Sequence, residues 1–440
     1  MTWHRKRLLA TWGAVAAVCA SFFTPIPVAA GPAHASAAGP SGTVTWAVPA
    51  DPGALKAQRQ QADIFHKAHP ALTIKIIPIP NNVNYDTKVQ TLIAGGDPPD
   101  LFGSGDVILP TLFKKGYARD LLPYIKRDKY DLSDFFQEEF RAFKYKGGVY
   151  ALTDNWDTQV MYYNRTLFRQ AGLAFPTKDW TWTEFRAAAK KLTHGSGSKK
   201  VYGAVFTTFF APVYDLIWAN GGDIFSKDGK STLLNSTAAI DSIQYIADLY
   251  NKDKSSAPPS VFNALGPDVL FQSGRVGLFV DGGRWWGAEF VGPPGITKFD
   301  WAAVPVPKGT HGRANFFHIG CTLIASNAKN PDGAWEFLKY LVSKDGIKIA
   351  AANQQGIPSR QSLAHDPSFV NDPTNKKHDL VQPWFDSLPT VHPAPEIVNF
   401  QQAQSLIDSA LMPVWRGQKT AKDAIAALTP KLNAELRGQQ

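Results

Sequence analysis

Strand and helix signals alternate along the first part of the chain, and this alternation constrains the fold more than any other feature. Short β-branched and aromatic runs alternate with longer stretches of helical periodicity, in the order strand 43–48, helix 54–68, strand 72–77, helix 85–94, strand 99–102 and helix 108–115. Strands separated by helices are typical of a sheet with crossover helices. The sequence therefore predicts an α/β fold, with later helices near 183–192, 238–250, 331–341, 343–353 and 420–436.

The amino terminus has the three parts of an export signal. A basic stretch at 5–7 precedes an uncharged apolar run at 8–23, and a small-x-small pattern follows at 33–35, with alternatives at 28–30 and 36–38. The apolar run is too short to span a hydrocarbon core of about 30 Å comfortably, and prolines end it. We therefore expect residues 1–35 to be an export signal and the mature chain to be extracellular or associated with the cell envelope.

Two cysteines cannot form a disulfide framework. Cys19 lies in the export signal directly after a valine, where a lipidated cysteine usually follows a small residue. Lipid anchorage through Cys19 therefore stays open beside free secretion. Cys321 lies in an apolar, strand-like run and is expected to be a core residue.

The distribution of charge does not indicate a nucleic-acid partner. The 440 residues include 46 Lys+Arg and 37 Asp+Glu, and three of the basic residues lie in the export signal. The others are scattered without a run of five like charges. A polyanion-binding surface would need a concentrated positive field, so we expect no nucleic acid as partner.

Sequence patterns of catalysis, metal binding and nucleotide binding are absent. The chain contains no HExxH, CxxC, Walker A, GxGxxG or GxSxG pattern. We therefore expect a protein without enzymatic activity, metal or other cofactor. A glycoside hydrolase is the alternative, with a carboxylate pair drawn from Asp154 and Asp157 or from Asp281 and Glu289. Spacing along the chain selects neither pair, because such pairs are defined in space.

Seven short motifs, in one order across nearly the whole mature chain, resemble those of the extracellular solute-binding proteins of sugar ABC importers, the maltose-binding-protein-like family. They include YDTKVQTLIAGGDPPD at 85–100, YYNRTLF at 162–168 with the preceding YAL at 150–152, WTWTEF at 180–185, NGGD at 220–223, FQSGRVG at 271–277, AWEFLKYL at 334–341 and GIPSR at 356–360. Each motif alone is weak, and their common order makes the resemblance specific.

The resemblance implies a two-lobed fold, similar to periplasmic binding proteins, with a ligand cleft that closes by a hinge. Residues 41–155 and 320–358 would form the first α/β lobe, and residues 156–319 and 359–440 the second. It also implies a receptor that delivers a carbohydrate to the membrane permease of an ABC importer. A monomer suits such a receptor. The 13 tryptophans favour an oligosaccharide, because the C–H face of a sugar packs well on an aromatic ring.

Ligand contacts are expected where strands end and where the chain crosses between lobes, as in α/β folds generally. Asn155, Trp156 and Asp157 follow a predicted strand and offer a stacking ring between an amide and a carboxylate. A buried tryptophan with two polar neighbours is the alternative. Arg284 and Trp285 lie in the glycine-aromatic loop of the family, where Trp285 corresponds to a stacking aromatic.

Four further residues complete the predicted site. Asp106 lies in a first-lobe loop where the family uses polar contacts, and a helix N-cap explains it equally well. Trp46 ends the first strand and suits either the core or the cleft. Tyr214, at the start of a second-lobe helix, and Phe316, before the return crossing, are weaker candidates.

The ligand class has two further alternatives within the same architecture. A polyamine would need several carboxylates in the cleft. A phosphorylated polyol would need arginine or helix N-termini, and Arg284 keeps this alternative open.

Overall fold

The structure of the chain is a computed structural model that describes residues 39–438 apart from 51, 81–83, 296, 352–355 and 399. The export signal predicted at 1–35, with Cys19 inside it, lies outside the described residues.

The strands of this part of the chain are short and follow one another from the amino to the carboxyl end. They are β1 Gly42–Pro49, β2 Leu72–Ile79, β3 Leu101–Gly105, β4 Lys144–Tyr145, β5 Gly148–Val149, β6 Asn155–Thr158, β7 Val160–Asn164, β8 Tyr202–Phe206, β9 Val276–Val280, β10 Trp301–Pro305, β11 Asn315–His318, β12 Gly320–Ile324, β13 Ile357–Pro358 and β14 Val391–His392.

Helices make up most of the rest. They are α1 Pro52–Ala68, α2 Tyr85–Ala94, α3 Leu109–Lys114, α4 Leu122–Arg127, α5 Glu139–Phe143, α6 Arg165–Gln170, α7 Trp182–Leu192, α8 Phe210–Ala219, α9 Thr237–Asn251, α10 Pro259–Leu265, α11 Pro267–Gln272, α12 Arg284–Gly295, α13 Pro331–Leu341, α14 Lys344–Ala351, α15 Gln361–Ala364, α16 Pro367–Val370, α17 Pro373–His378, α18 Gln382–Ser387, α19 Phe400–Trp415 and α20 Ala421–Gly438. Single 3₁₀ turns form at Asp106–Ile108, Gly197–Lys199 and Leu388–Thr390.

The first sheet has the strand order β12-β3-β1-β2. β1 pairs in parallel with β2 and β3, whereas β12, which arrives from much later in the chain, pairs antiparallel with β3. Buried Asp100 joins the elements around this sheet, because its carboxylate accepts the backbone N–H groups of Thr45 and Asn330, each at 2.8 Å. The alternation of strands and helices predicted over residues 43–115 is confirmed, with the last helix divided between a 3₁₀ turn and α3.

The second sheet has the order β10-β7-β9-β8, and all its strands come from residues 160–305. α7 packs on β8 and β9. This helix begins where the sequence predicts, because Thr181 accepts the N–H of Glu184 while the Glu184 carboxylate accepts the N–H of Thr181.

A third, small sheet of order β13-β6-β11-β14 lies where the chain passes between the first two sheets. Its strand β6 is followed at once by β7 of the second sheet, and β11 is followed at once by β12 of the first. His318 pairs with Asp157 across β11 and β6. We call this third sheet the crossing sheet. It lies between the ends of the two larger sheets in the order of the chain.

The described residues from Pro40 onward belong to one compact unit. None of its helices combines the length and the apolar character that crossing a bilayer requires.

Candidate functional site

Asp106 connects the end of β3 with the crossing sheet. Its carboxylate accepts the backbone N–H of Val107 at 2.7 Å and that of Ile319 at 3.3 Å. The same carboxylate lies 3.5 Å from Nδ1 of His318, the last residue of β11. Asp106 is the first residue of a 3₁₀ turn whose N-cap is Gly105 and which has no side-chain cap hydrogen bond, so the N-cap alternative is wrong. Its carboxylate instead reaches a residue more than 200 positions later in the chain.

His318 is held between two partners. Nε2 of the fully buried Gln159 lies 2.8 Å from Nε2 of His318. On its other side, Nδ1 of His318 faces Asp106. The Gln159 Oε1 atom is buried and has no hydrogen-bond partner in the part of the chain that the structure describes.

Two aromatic rings that follow strands of the second sheet lie beside His318. The half-buried ring of Trp285 meets it edge-on, with centroids 5.0 Å apart, and Phe209 stacks along it at 6.3 Å and 16°. Phe209 is 41% exposed, which is unusual for a phenylalanine in a well-packed domain. Asp106, Gln159, Phe209, Trp285 and His318, which we call the His318 cluster, combine an apolar ring surface with fixed polar groups.

A cavity of about 430 Å³ lies at the ends of β1 and β3. Gly105, which lines it, directly precedes Asp106 of the His318 cluster in the sequence. Its lining includes Trp46 and Asn155 among the predicted site residues, together with Asp86 and Asp154. We call it the sheet-edge cavity. Burial raises the pKa of Asp86, and it raises that of Asp154 as well.

A second cavity, of about 320 Å³, has Asp106 in its lining. Basic Arg141 and Lys144 and acidic Asp228 and Glu396 contribute to its lining, beside apolar side chains. Both volumes lie in the range of small-molecule sites, which is about 300–1,000 Å³. Asp106 lines the second cavity and Gly105 lines the sheet-edge cavity, so the two cavities are lined by adjacent residues of the chain.

Trp156 and Asp157 do not offer the stacking plate and free carboxylate that the sequence predicts. Trp156 is fully buried, with its ring 5.3 Å from that of Phe136, so no face is open to a ligand. Asp157 is buried too and accepts the N–H groups of Thr158 and Arg284 and the indole N–H of Trp384. Burial raises its pKa to about 6. Both residues support the crossing sheet, which is the alternative that the sequence leaves open for Trp156.

Arg284 also lies in the core. Its guanidinium group donates to the carbonyl of Leu380 at 3.0 Å and to Oδ1 of Asn375 at 2.5 Å. It is 1% exposed, and burial lowers its pKa. Its neighbour Trp285 points to the His318 cluster.

Tyr214 and Phe316 are buried as well. Tyr214 donates its hydroxyl proton to Gln404 at 2.6 Å, and the Phe316 ring packs on Phe210 at 5.2 Å. They form a wall behind the His318 cluster rather than a contact surface. Of the nine predicted residues the structure brings Asp106 and Trp285 together around His318, and Trp46 and Asn155 together in the sheet-edge cavity.

Sequence reasoning missed His318, Gln159 and Phe209. His318 lies at the end of a strand that precedes the predicted return crossing, which was the only available signal for it. Phe209 is the N-cap of α8 and Phe210 is the first residue of this helix, and a pair of adjacent aromatics at a helix start is a second usable signal.

Within the described residues, no group of histidine, cysteine, aspartate and glutamate side chains is arranged to hold a metal ion. Cys321 is buried, as predicted, with burial raising its pKa well above the ordinary value.

Comparisons with known proteins agree with this architecture. A sequence model of the bacterial extracellular solute-binding proteins matches residues 24–348. The arabinooligosaccharide-binding protein of Bacillus subtilis is 26% identical over 64% of this chain and 66% of its own length. The diacetylchitobiose-binding protein of Streptomyces coelicolor is 25% identical over 80% of each chain.

Among solved structures, an ABC substrate-binding protein of Listeria monocytogenes in complex with cycloalternan superposes with a TM-score of 0.79. It is 26% identical, and the match covers 91% of this chain and all of that one. The fold class predicted from the sequence, an α/β fold of the two-lobed binding-protein kind, is confirmed.

Proposed function

Because the chain belongs to the family of bacterial extracellular solute-binding proteins, we propose that it is a carbohydrate receptor of an ABC importer, with an oligosaccharide as ligand. The His318 cluster is the observation that carries this proposal. It places an exposed and a half-buried aromatic ring beside Asp106 and His318, whose carboxylate and Nδ1 atoms lie 3.5 Å apart. Rings that pack on sugar C–H faces, beside polar groups fixed for hydroxyls, are what a sugar site requires.

The two lobes are assigned to residues 41–155 with 320–358, and to residues 156–319 with 359–440. This division is supported by the sheets, because the strands of the first sheet come from 42–105 and 320–324 and those of the second from 160–305. In the His318 cluster, Asp106 follows the first sheet, whereas Phe209 and Trp285 follow strands of the second. A ligand that contacts both has higher affinity for the closed arrangement and therefore drives closure.

Delivery requires partners outside the chain. The permease subunits of an ABC importer are the expected partners of a monomeric receptor, which needs no nucleic acid. Export by residues 1–35 would place it outside the cytoplasm, either free or anchored through a lipid on Cys19.

The test is thermal unfolding of residues 39–440 with a panel of mono- and oligosaccharides, polyamines and phosphorylated polyols. A ligand present at 100 times its dissociation constant should stabilise the protein by about 2.7 kcal/mol. We expect one sugar class to raise the melting temperature and to be recovered uncleaved. Cleaved sugar would favour a glycoside hydrolase, and a response to polyamine or polyol alone would overturn the carbohydrate assignment.

A variant then tests the site. Trp285→Ala should weaken binding of the responsive sugar by more than about tenfold, or roughly 1.4 kcal/mol. Trp180→Ala is the matched control, because Trp180 is a half-buried tryptophan that packs on Phe168 and does not contact the His318 cluster. Equal affinities of the two variants would remove Trp285 from the site.

A second candidate ligand within the same receptor is a polyamine. The carboxylates of Asp86 and Asp154 in the sheet-edge cavity favour it, because amines need several carboxylates around them. The panel separates it from a sugar directly.

A further inference from the structure

The sheet-edge cavity is rich in hydrogen-bond acceptors with spare capacity. The buried Oε1 atom of Gln58 has no hydrogen-bond partner within the described part of the chain. The carboxylate of Asp86 accepts a long hydrogen bond of 3.4 Å from the Ser104 hydroxyl, and that of Asp154 accepts the side-chain amide of Asn155 at 2.8 Å. A carboxylate can accept about four hydrogen bonds, so both can accept more.

Two of the donors that line the cavity are already engaged with the protein. The Tyr85 hydroxyl donates to the carbonyl of Ala47 at 2.8 Å, and the Gln61 amide donates to the carbonyl of Gly346 at 2.9 Å. Donors on an occupant would therefore find remaining lone pairs on the carboxylates of Asp86 and Asp154.

Positive charge is missing from the same lining. It contains no lysine, arginine or histidine among the described residues. Neither Asp86 nor Asp154 takes part in any ion pair between described residues. The undescribed stretches 81–83 and 352–355, adjacent in sequence to this region, contain no lysine or arginine either. An anion in the cavity would face two carboxylates without a counter-charge.

We propose that the sheet-edge cavity makes the receptor select sugars that carry no negative charge, so that neutral and amine-bearing sugars bind and uronates and sugar phosphates are rejected. This selectivity rests on the proposed function and narrows it. Hydroxyl and ammonium groups supply donors that the carboxylates of Asp86 and Asp154 can accept beyond those of Ser104 and Asn155. A carboxylate or phosphate ester supplies only acceptors and adds like-charge repulsion.

The experiment uses residues 39–440 and every sugar that responds in the unfolding panel. Each is paired with its uronic acid, aldonic acid or phosphate ester, and with an amine-bearing counterpart such as chitobiose for diacetylchitobiose. Affinities are measured by titration calorimetry at pH 7. The anionic counterpart should bind at least about 100-fold more weakly, which corresponds to unit charges that interact across a protein-like dielectric. The amine-bearing one should bind as tightly as the neutral sugar or tighter.

Asp86→Asn tests the assigned cause. This variant keeps the shape of the side chain. It should reduce the ratio between the affinities for the neutral and the anionic sugar at least tenfold. Asp97→Asn is the matched control, since it removes one charge from an exposed surface pair with Lys329 and should leave this ratio unchanged. The melting temperatures of both variants without sugar show that they are folded.

Different results would overturn the charge selectivity and the receptor proposal. A receptor that binds an anionic sugar as tightly as the neutral one, or tighter, overturns the charge selectivity and leaves the carbohydrate receptor standing. A chain that responds to no sugar at all overturns the receptor proposal, and the selectivity with it. If Asp86→Asn and Asp97→Asn reduce this ratio of affinities equally, the sheet-edge cavity is not the cause of the selectivity.

Discussion

Asp281 should make the free energy of unfolding depend on pH in a direction opposite to that of a surface carboxylate. It follows β9, is 7% exposed and accepts a hydrogen bond from the Thr207 hydroxyl. Burial raises its pKa from 3.8 to about 6, against the opposing effect of the hydroxyl and of nearby His318. Between these two values the folded protein holds a proton that the unfolded chain has released. Stability from this group is therefore full below about pH 4 and falls as pH rises through 6.

The magnitude follows from the shift. About two pKa units at 1.36 kcal/mol each give roughly 3 kcal/mol lost between acid and neutral pH. Asp281→Asn has no ionisable group there, and its amide oxygen can still accept the Thr207 hydroxyl. Relative to wild type, this variant should gain up to roughly 3 kcal/mol of unfolding free energy between pH 4 and pH 7.

The assay is guanidinium unfolding followed by tryptophan fluorescence at pH 4, 5, 6 and 7, without sugar. Contributions of other groups, including Asp157, cancel in the difference between variant and wild type when the sites do not interact. Asp97→Asn is the control, because Lys329 lowers the pKa of this exposed carboxylate. Its difference should be small and of opposite sign. A difference for Asp281→Asn that is the same at pH 4 and pH 7 would refute the reasoning.

Three further changes give distinct results. Gly283→Ala should lower the free energy of unfolding by about 1–3 kcal/mol, because the new Cβ would lie 2.3–2.4 Å from atoms of the Asp157 carboxylate. Gly292→Ala should not, because a Cβ at this position in α12 meets open space. Denaturant titration compares the two, and equal stability contradicts the packing argument. Glu139→Met should raise stability by about 1 kcal/mol at pH 7, because the buried carboxyl has no hydrogen-bond partner in the described residues; a less stable variant would show that the carboxyl is needed. Phe209→Ala should weaken sugar binding severalfold in calorimetry with an unchanged melting temperature, since its ring is partly exposed, and a lower melting temperature would assign it to the core.

The alternation of strands and helices could be predicted because each signal is local. β1, α1 and β2 need only a few neighbouring residues of the right type, and each falls within a few residues of its predicted position. The capping of α7 by Thr181 is equally local. The order of strands within a sheet is different, because β12 reaches the first sheet from more than 200 residues away. Only the resemblance to a known family carried that information.

Site residues were harder to predict because exposure is decided by distant partners. Trp156 looks like a stacking plate in its own sequence context. Its burial comes from Phe136, Phe317 and Phe385, which lie on three other segments of the chain. Nothing near Trp156 in the sequence reports their presence, so a tryptophan of the core and one of a cleft read alike.

The His318 cluster shows why its central residue, His318, could not be identified from the sequence. His318 acquires its role only when β11 pairs with β6, which sets it beside Gln159, and when β12 pairs with β3, which brings Asp106 within reach. Each contact depends on a pairing between remote segments. The β12–β3 pairing lies within the first sheet and the β11–β6 pairing within the crossing sheet, so His318 lies where the first sheet meets the crossing sheet. A sugar held by Trp285 and Asp106, as proposed above, would contact residues that follow both large sheets, and it would therefore favour the arrangement in which both residues reach it.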